Sequence, residues 1–156
     1  VALVLLFDGA VTDIHINDID PAVAVFWRAA TKQTANMIDL VATLLFESQE
    51  KYEWTVAALE DKRWADAIYH AYSVFISASK ALLLDKSVTV SNQTAVINKF
   101  DENFVSTNEF AVDAETFAAL VLQINQHEPT EAFANQYVAQ AERFLNAATT
   151  YRQNKA

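Results

Sequence analysis

The sequence predicts a mostly α protein: an up-and-down bundle of about five helices carrying a short N-terminal β-hairpin. Three observations predict it. The 156 residues include one Gly and two Pro, too few turn formers for a sandwich or barrel. Apolar residues make up 53% of the chain and charged ones 20%, a composition that supports a packed core rather than disorder. Apolar side chains also recur at three- and four-residue steps along most of the length, the period of a helix with one buried face. A chain of this length forms one ordinary domain and buries a core without metal or disulfide help.

Residues 1–7 are a continuous apolar run, followed by Asp8-Gly9 and a second β-prone run from Val11 to Ile16. Two such runs around Asp-Gly predict a hairpin over 1–18, because Gly supplies the positive φ of the turn at little cost. Asp20-Pro21 starts a helix, Asp as the cap and Pro at the first helical position, where its missing N–H costs nothing. Nothing strongly breaks the pattern until Asp61, and Met37, Leu40, Val41, Leu44, Leu45, Ser48, Tyr52, Val56 and Leu59 form one stripe. The segment 20–61 is therefore expected as one long helix, or two with a hinge near Thr31.

A charged corner, Glu60-Asp61-Lys62-Arg63, precedes a second helix over about 64–84 whose apolar face is Trp64, Ala67, Ile68, Ala71, Phe75, Ala78 and Leu82. On its other side Arg63, Asp66, His70, Ser73, Ser77 and Lys80 fall within about a third of the circumference at roughly 100° per residue, a polar stripe that is small in its middle. Ser91 or Asn92 caps a third helix bearing Val96, Ile97, Phe100 and Phe104. A fourth, over about 114–126, carries Phe117, Leu120, Val121 and Ile124 and ends before Pro129, since the residue preceding Pro is driven out of the α region. Thr130 caps a last helix with a stripe of Phe133, Tyr137, Ala141, Phe144, Ala148 and Tyr151.

The 11 basic and 20 acidic residues leave a formal charge of −9, which disfavours general nucleic-acid binding, because phosphate neutralisation by Lys and Arg supplies most of that affinity. With no Cys, disulfides and thiolate metal sites are excluded. The opening VALVLLFDGA has neither Met nor a basic flank, and its apolar run is shorter than a signal peptide or membrane span. We expect a piece of a larger polypeptide, cytoplasmic, without a membrane segment.

The run RWADAIYHAYSVFISASKALLL, then a loop, then NQTAVINKFDENFVST, preceded by Ala57-Ala58-Leu59 and followed by a last helix with Ala141, Glu142, Phe144 and Leu145, resembles the HEPN (higher eukaryotes and prokaryotes nucleotide-binding) domain family. The resemblance covers residues 48–152, about two thirds of the chain, and rests on the order and spacing of several pieces. It implies a helical bundle that dimerises through this region, with a groove between subunits for nucleotide or RNA. Many members are metal-independent ribonucleases with an Arg, four to six residues and a His at the start of the third helix. Here those positions fall on Lys86 and Gln93. Gln exchanges no proton near neutral pH and Lys lacks the bidentate fork of Arg, so the resemblance implies a non-catalytic member.

Other constellations are weaker. Asp66, His70 and Ser73 share a face, but three groups on one rigid helix make a poor orienter, base and nucleophile. Asp13, His15, Asn17, Asp18 and Asp20 lack the Gly and terminal Glu of a calcium loop and are read as strand alternation followed by a helix cap. His127 marks a helix end, and Trp27, Trp54, Trp64 and Tyr52 are read as core or interface. No P-loop, dinucleotide fingerprint or zinc motif is present.

These readings lead to an expected non-catalytic interaction or dimerisation module, with no cofactor, no metal and no catalytic residue. Its expected working surface is Arg63, Asp66, His70, Ser73, Ser77, Lys80, Lys86, Asn92 and Gln93. A homodimer is the expected partner, with another domain or protein as a further one. Because HEPN-like domains occur appended to redox enzymes, the analogy extends to a role beside a nitrite or sulfite reductase-like protein. The alternative is a nucleotide or small-anion binding domain; residual ribonuclease activity ranks below both.

Overall fold

The computed structural model describes residues 21–155, and of the side chains before residue 40 only that of Lys32. The expected hairpin over 1–18, the acidic cluster over 13–20, the Asp20 cap and the side chain of Trp27 lie outside that description. The chain divides into two compact units, Val1–Asn36 and Met37–Ala156; the second is the helical bundle.

Helix α1 runs from Pro21–Glu60 as a single element. In the bundle unit its buried line is Val41, Ser48, Thr55 and Ala58, with Leu44, Leu45, Tyr52, Val56 and Leu59 half-buried beside it. Leu40, expected in the stripe, is half exposed. Seven-residue spacing between Val41, Ser48 and Thr55 is the heptad spacing of a helix-on-helix seam, and small residues there allow close approach. The helix stops in a tight turn: Lys62 N–H donates to the Leu59 carbonyl at 3.0 Å and Arg63 N–H to Ala58 at 2.8 Å, with Lys62 at φ 60°. This pair of bonds is the Schellman closure.

Helix α2, Trp64–Asp85, is the centre of the bundle. It is long and apolar enough to cross a membrane by composition, yet most of it is buried inside the bundle, so its hydropathy serves the core. Burial extends beyond the expected face to Val74, Ser77, Ser79, Ala81 and Leu83. It ends in the same closure, Val88 N–H to Leu83 and Ser87 N–H to Leu84 at 2.9 and 2.8 Å.

Asn92 caps α3, Gln93–Phe100, by accepting the Ala95 N–H at 2.8 Å. The helix does not continue as α through Phe104: Asp101–Val105 form a π-helical turn, with Ser106 N–H reaching the Asp101 carbonyl at 2.8 Å. The expected helix over 114–126 is shorter, α4 at Phe117–Val121 followed by a 3₁₀ turn at Leu122–Asn125. Its start is set by two caps. Thr116 Oγ1 accepts from Ala119 N–H at 3.0 Å, and the Asp101 carboxylate accepts from Phe117 and Ala118 N–H at 2.6 and 3.0 Å. Thr130 caps α5, Glu131–Lys155.

Aromatic rings hold the layers together. Phe75 of α2 lies 5.3 Å from Tyr137 and 5.4 Å from Phe144 of α5, and Phe117 stacks on Phe144 at 5.1 Å and against Phe100 at 4.5 Å. Rings at these separations gain about 0.5–1.5 kcal/mol per pair beyond their area burial. Asp85 at the end of α2 receives Arg152 and Lys155 of α5 at 3.4 and 3.6 Å. No strand occurs among the described residues.

Candidate functional site

Where α1, α2 and the start of α3 meet, they leave a cleft of about 280 Å³. Its walls come from three separate stretches: Glu47 and Lys51 from α1, Ser73, Ser77 and Lys80 from α2, and Ser91, Asn92 and Gln93 from the α3 start. Each is there for a local reason. Ser73, Ser77 and Lys80 succeed one another at four and three residues, one line along α2. The Asn92 cap holds the first turn of α3 open-ended beside them, with its partial positive charge at the rim.

Ser77 closes the floor. Ser48 Oγ of α1 donates to Ser77 Oγ at 2.9 Å, and Ser77 in turn donates to the Ser73 carbonyl at 2.7 Å. The small centre of the α2 stripe is thus occupied by α1 of the same chain, and Ser77 is 5% exposed. Ser73 is half-buried and donates to the Tyr69 carbonyl at 3.1 Å. Gln93 is held from below: Tyr72 Oη donates to its Oε1 at 3.0 Å. Partial burial, with Tyr69 nearby, raises the Tyr72 pKa above its ordinary value, so that hydroxyl stays a donor at neutral pH.

Most cations of the bundle are paired away from this cleft. Arg63 pairs with Asp61 and Asp66, Lys86 with Glu109, Lys99 with Glu102, Arg143 with Asp113, and Arg152 and Lys155 with Asp85. Lys32, Lys51, Lys62 and Lys80 have no ion-pair partner among the described residues, and of these Lys51 and Lys80 line the cleft. Glu47 is the one carboxylate in the lining.

Of the nine residues expected to form a working surface, Ser73, Ser77, Lys80, Asn92 and Gln93 come together here. The other four do not. Lys86 turns away, donating to the Asn103 carbonyl and to Glu109 Oε1, each at 2.8 Å, with its ammonium 4.4 Å from the Phe104 ring centre. Arg63 donates to Asp66 at 2.7 Å at the opposite end of α2. His70 sits between rings, 6.0 Å from Trp54 and 5.8 Å from Tyr69. Asp66, His70 and Ser73 form no relay, since the Asp66 carboxylate is taken by Arg63 and the Ser73 hydroxyl by its own helix.

Sequence reasoning missed Lys51 and Glu47. At a four-residue step they read as a solvated surface pair, and only the approach of α1 to α2 and α3 turns them into a wall. Among the described residues no three His, Asp or Glu side chains group as metal ligands.

The fold and the cleft define a small α-helical bundle with a polar, partly cationic recess between three of its helices. Comparison with family models, with curated proteins and with solved structures found no match.

Proposed function

We propose that this chain is a non-catalytic, HEPN-like binding module and that the cleft between α1, α2 and α3 is its small-anion site. The observation that carries this reading is that Lys51 and Lys80, neither of which has an ion-pair partner among the described residues, line one recess in a chain of net charge −9. Lys51 and Lys80 stand on different helices and line the same recess, so a bound anion gains attraction from both. Ser91, Asn92 and the rim of the α3 N-terminus add hydrogen-bond capacity. A volume of about 280 Å³ suits a phosphate, a carboxylate or the phosphate end of a nucleotide, lying at the low edge of small-molecule sites, roughly 300–1,000 Å³. A proton-transfer role fits poorly, because Gln93 stands at the position where the family's chemistry needs His.

Thermal unfolding with phosphate, acetate and adenosine monophosphate at millimolar concentration tests the reading. A ligand at a hundred times its Kd stabilises the fold by about 2.7 kcal/mol, and Lys80→Gln or Lys51→Gln removes that gain. No stabilisation by any of the three overturns it.

A second reading, self-association or docking on a protein partner, is favoured by the exposed aromatic side chains Phe46 (64% exposed), Trp54 (54%) and Tyr69 (62%). Light scattering tests it: a dimer converted to monomer by Trp54→Ala with Tyr69→Ala supports it, and a concentration-independent monomer overturns it.

A further inference from the structure

The polar cleft does not end at Lys80. A second recess of about 180 Å³ opens against it, lined by Leu40, Leu44, Leu84, Val88 and Val90 with Thr89 and Lys80. Leu44, Lys80 and Val90 line both recesses, so the two are adjacent, one polar and one apolar, and share the side chain of Lys80, which has no ion-pair partner among the described residues. Leu40 is 50% exposed and Leu84, Val88 and Val90 are only half-buried, leaving apolar surface open beside a cation. Lysine suits such a boundary, since its methylene stem lies along apolar surface while its head meets a charge.

The charges narrow the choice further. Lys51 and Lys80 against Glu47 leave a net charge of one positive unit in the lining. That balance matches a single negative charge.

We infer that the ligand is an amphipathic monoanion: a carboxylate or similar singly charged head in the polar cleft, carried on an unbranched apolar tail that lies along Leu40, Leu84 and Val88. This rests on the anion-site reading of the cleft and adds the chemical class of the ligand. The tail covers the open leucine and valine surface, and the head offsets the Lys80 ammonium. Recognition then grows with chain length, because each methylene removed from water tightens binding by on the order of threefold to fourfold.

Calorimetric titration with acetate, butyrate, hexanoate and octanoate below their micellar concentrations, with octanol and octylamine as neutral and cationic controls, tests the inference. The expected result is a Kd that falls with every added methylene, is at least tenfold weaker for both controls, and is weakened at least tenfold by Lys80→Gln. Leu40→Asn, an exposed position whose replacement leaves the core intact, flattens the chain-length dependence. Phe46→Asn, a more exposed apolar side chain on the same helix but outside both recesses, leaves it unchanged. Equal binding of acetate and octanoate overturns the tail assignment while the anion site stands. Octanol or octylamine binding as tightly as octanoate, or an effect of Phe46→Asn as large as that of Leu40→Asn, marks a merely greasy surface and also overturns it. No binding of any carboxylate or of phosphate removes both readings together.

Discussion

Three residues with positive φ, Lys62, Ser87 and Asn108, do the same job in three places. Each sits at the left-handed position of a Schellman closure; at the third, Asn108 N–H donates to Val105 at 3.0 Å and Glu109 N–H to Phe104 at 2.9 Å. Glycine is the usual occupant, but the only glycine in the chain is Gly9. Asn tolerates this region, whereas Lys62 carries a Cβ against the following carbonyl at a cost of about 1 kcal/mol. Lys62→Gly is therefore expected to stabilise the protein by about that amount and to raise Tm by about 2–4 °C for a domain of this length; an unchanged or lower Tm in a thermal melt contradicts the assignment. The corner at Asp61 was legible from its charges, and the second helix, expected over about 64–84, ends at Asp85.

At the scale of elements, Asp101 couples the end of α3 to the start of α4. Its carboxylate takes two backbone donors from a helix of only five residues, which leaves that helix without intrinsic stability of its own. Asp101→Ala strands the Phe117 and Ala118 N–H groups in a part-buried setting and is expected to cost about 1–3 kcal/mol in urea unfolding, with Asp101→Asn losing less because it keeps one acceptor oxygen. A loss under 0.5 kcal/mol, on the order of the scatter of surface substitutions, would refute the coupling. Sequence spacing does not show this link, because the two ends lie sixteen residues apart and a remote carboxylate cap leaves no local pattern. The Ser48 to Ser77 bond has the same character: each serine was visible as a small residue in its own stripe, but not as the other's partner.

For the molecule as a whole, buried and partly buried tyrosines tie helices to one another. Tyr137 Oη donates to the Val121 carbonyl at 2.7 Å, and its burial, with Tyr72 as a lesser cause, pushes its pKa far above the ordinary phenol value. Partial burial raises Tyr52, helped by the Glu142 carboxylate, and raises Tyr151, helped by Glu109. Folded-state values above the unfolded one mean that this stability is fully present below about pH 10. It declines as pH rises through that value toward the folded-state pKa, because only the unfolded chain ionises freely. Stability measured by urea unfolding is thus expected to fall between pH 9 and 11. Tyr137→Phe is expected to lose about 1 kcal/mol at pH 8 but to show a shallower alkaline decline; a parallel decline in both proteins counts against Tyr137 as its source.

The sequence by itself determined that the chain is helical and where most helices run. One Gly, two Pro and sustained apolar stripes leave little else, since periodicity is a local property that survives without knowledge of neighbours. It also placed Ser73, Ser77 and Lys80 on one line and Asn92 at a helix start. The tertiary structure alone decided that these two groups share one recess, that Lys51 and Glu47 complete it, and that Lys86 leaves it for Glu109. It also joined the apolar recess of Leu40, Leu84 and Val88 to the same lysine. The reason is physical: a side chain's partners across a bundle depend on which helices approach and at what rotation, and those are set by the packing of the whole core rather than by any one stretch of residues.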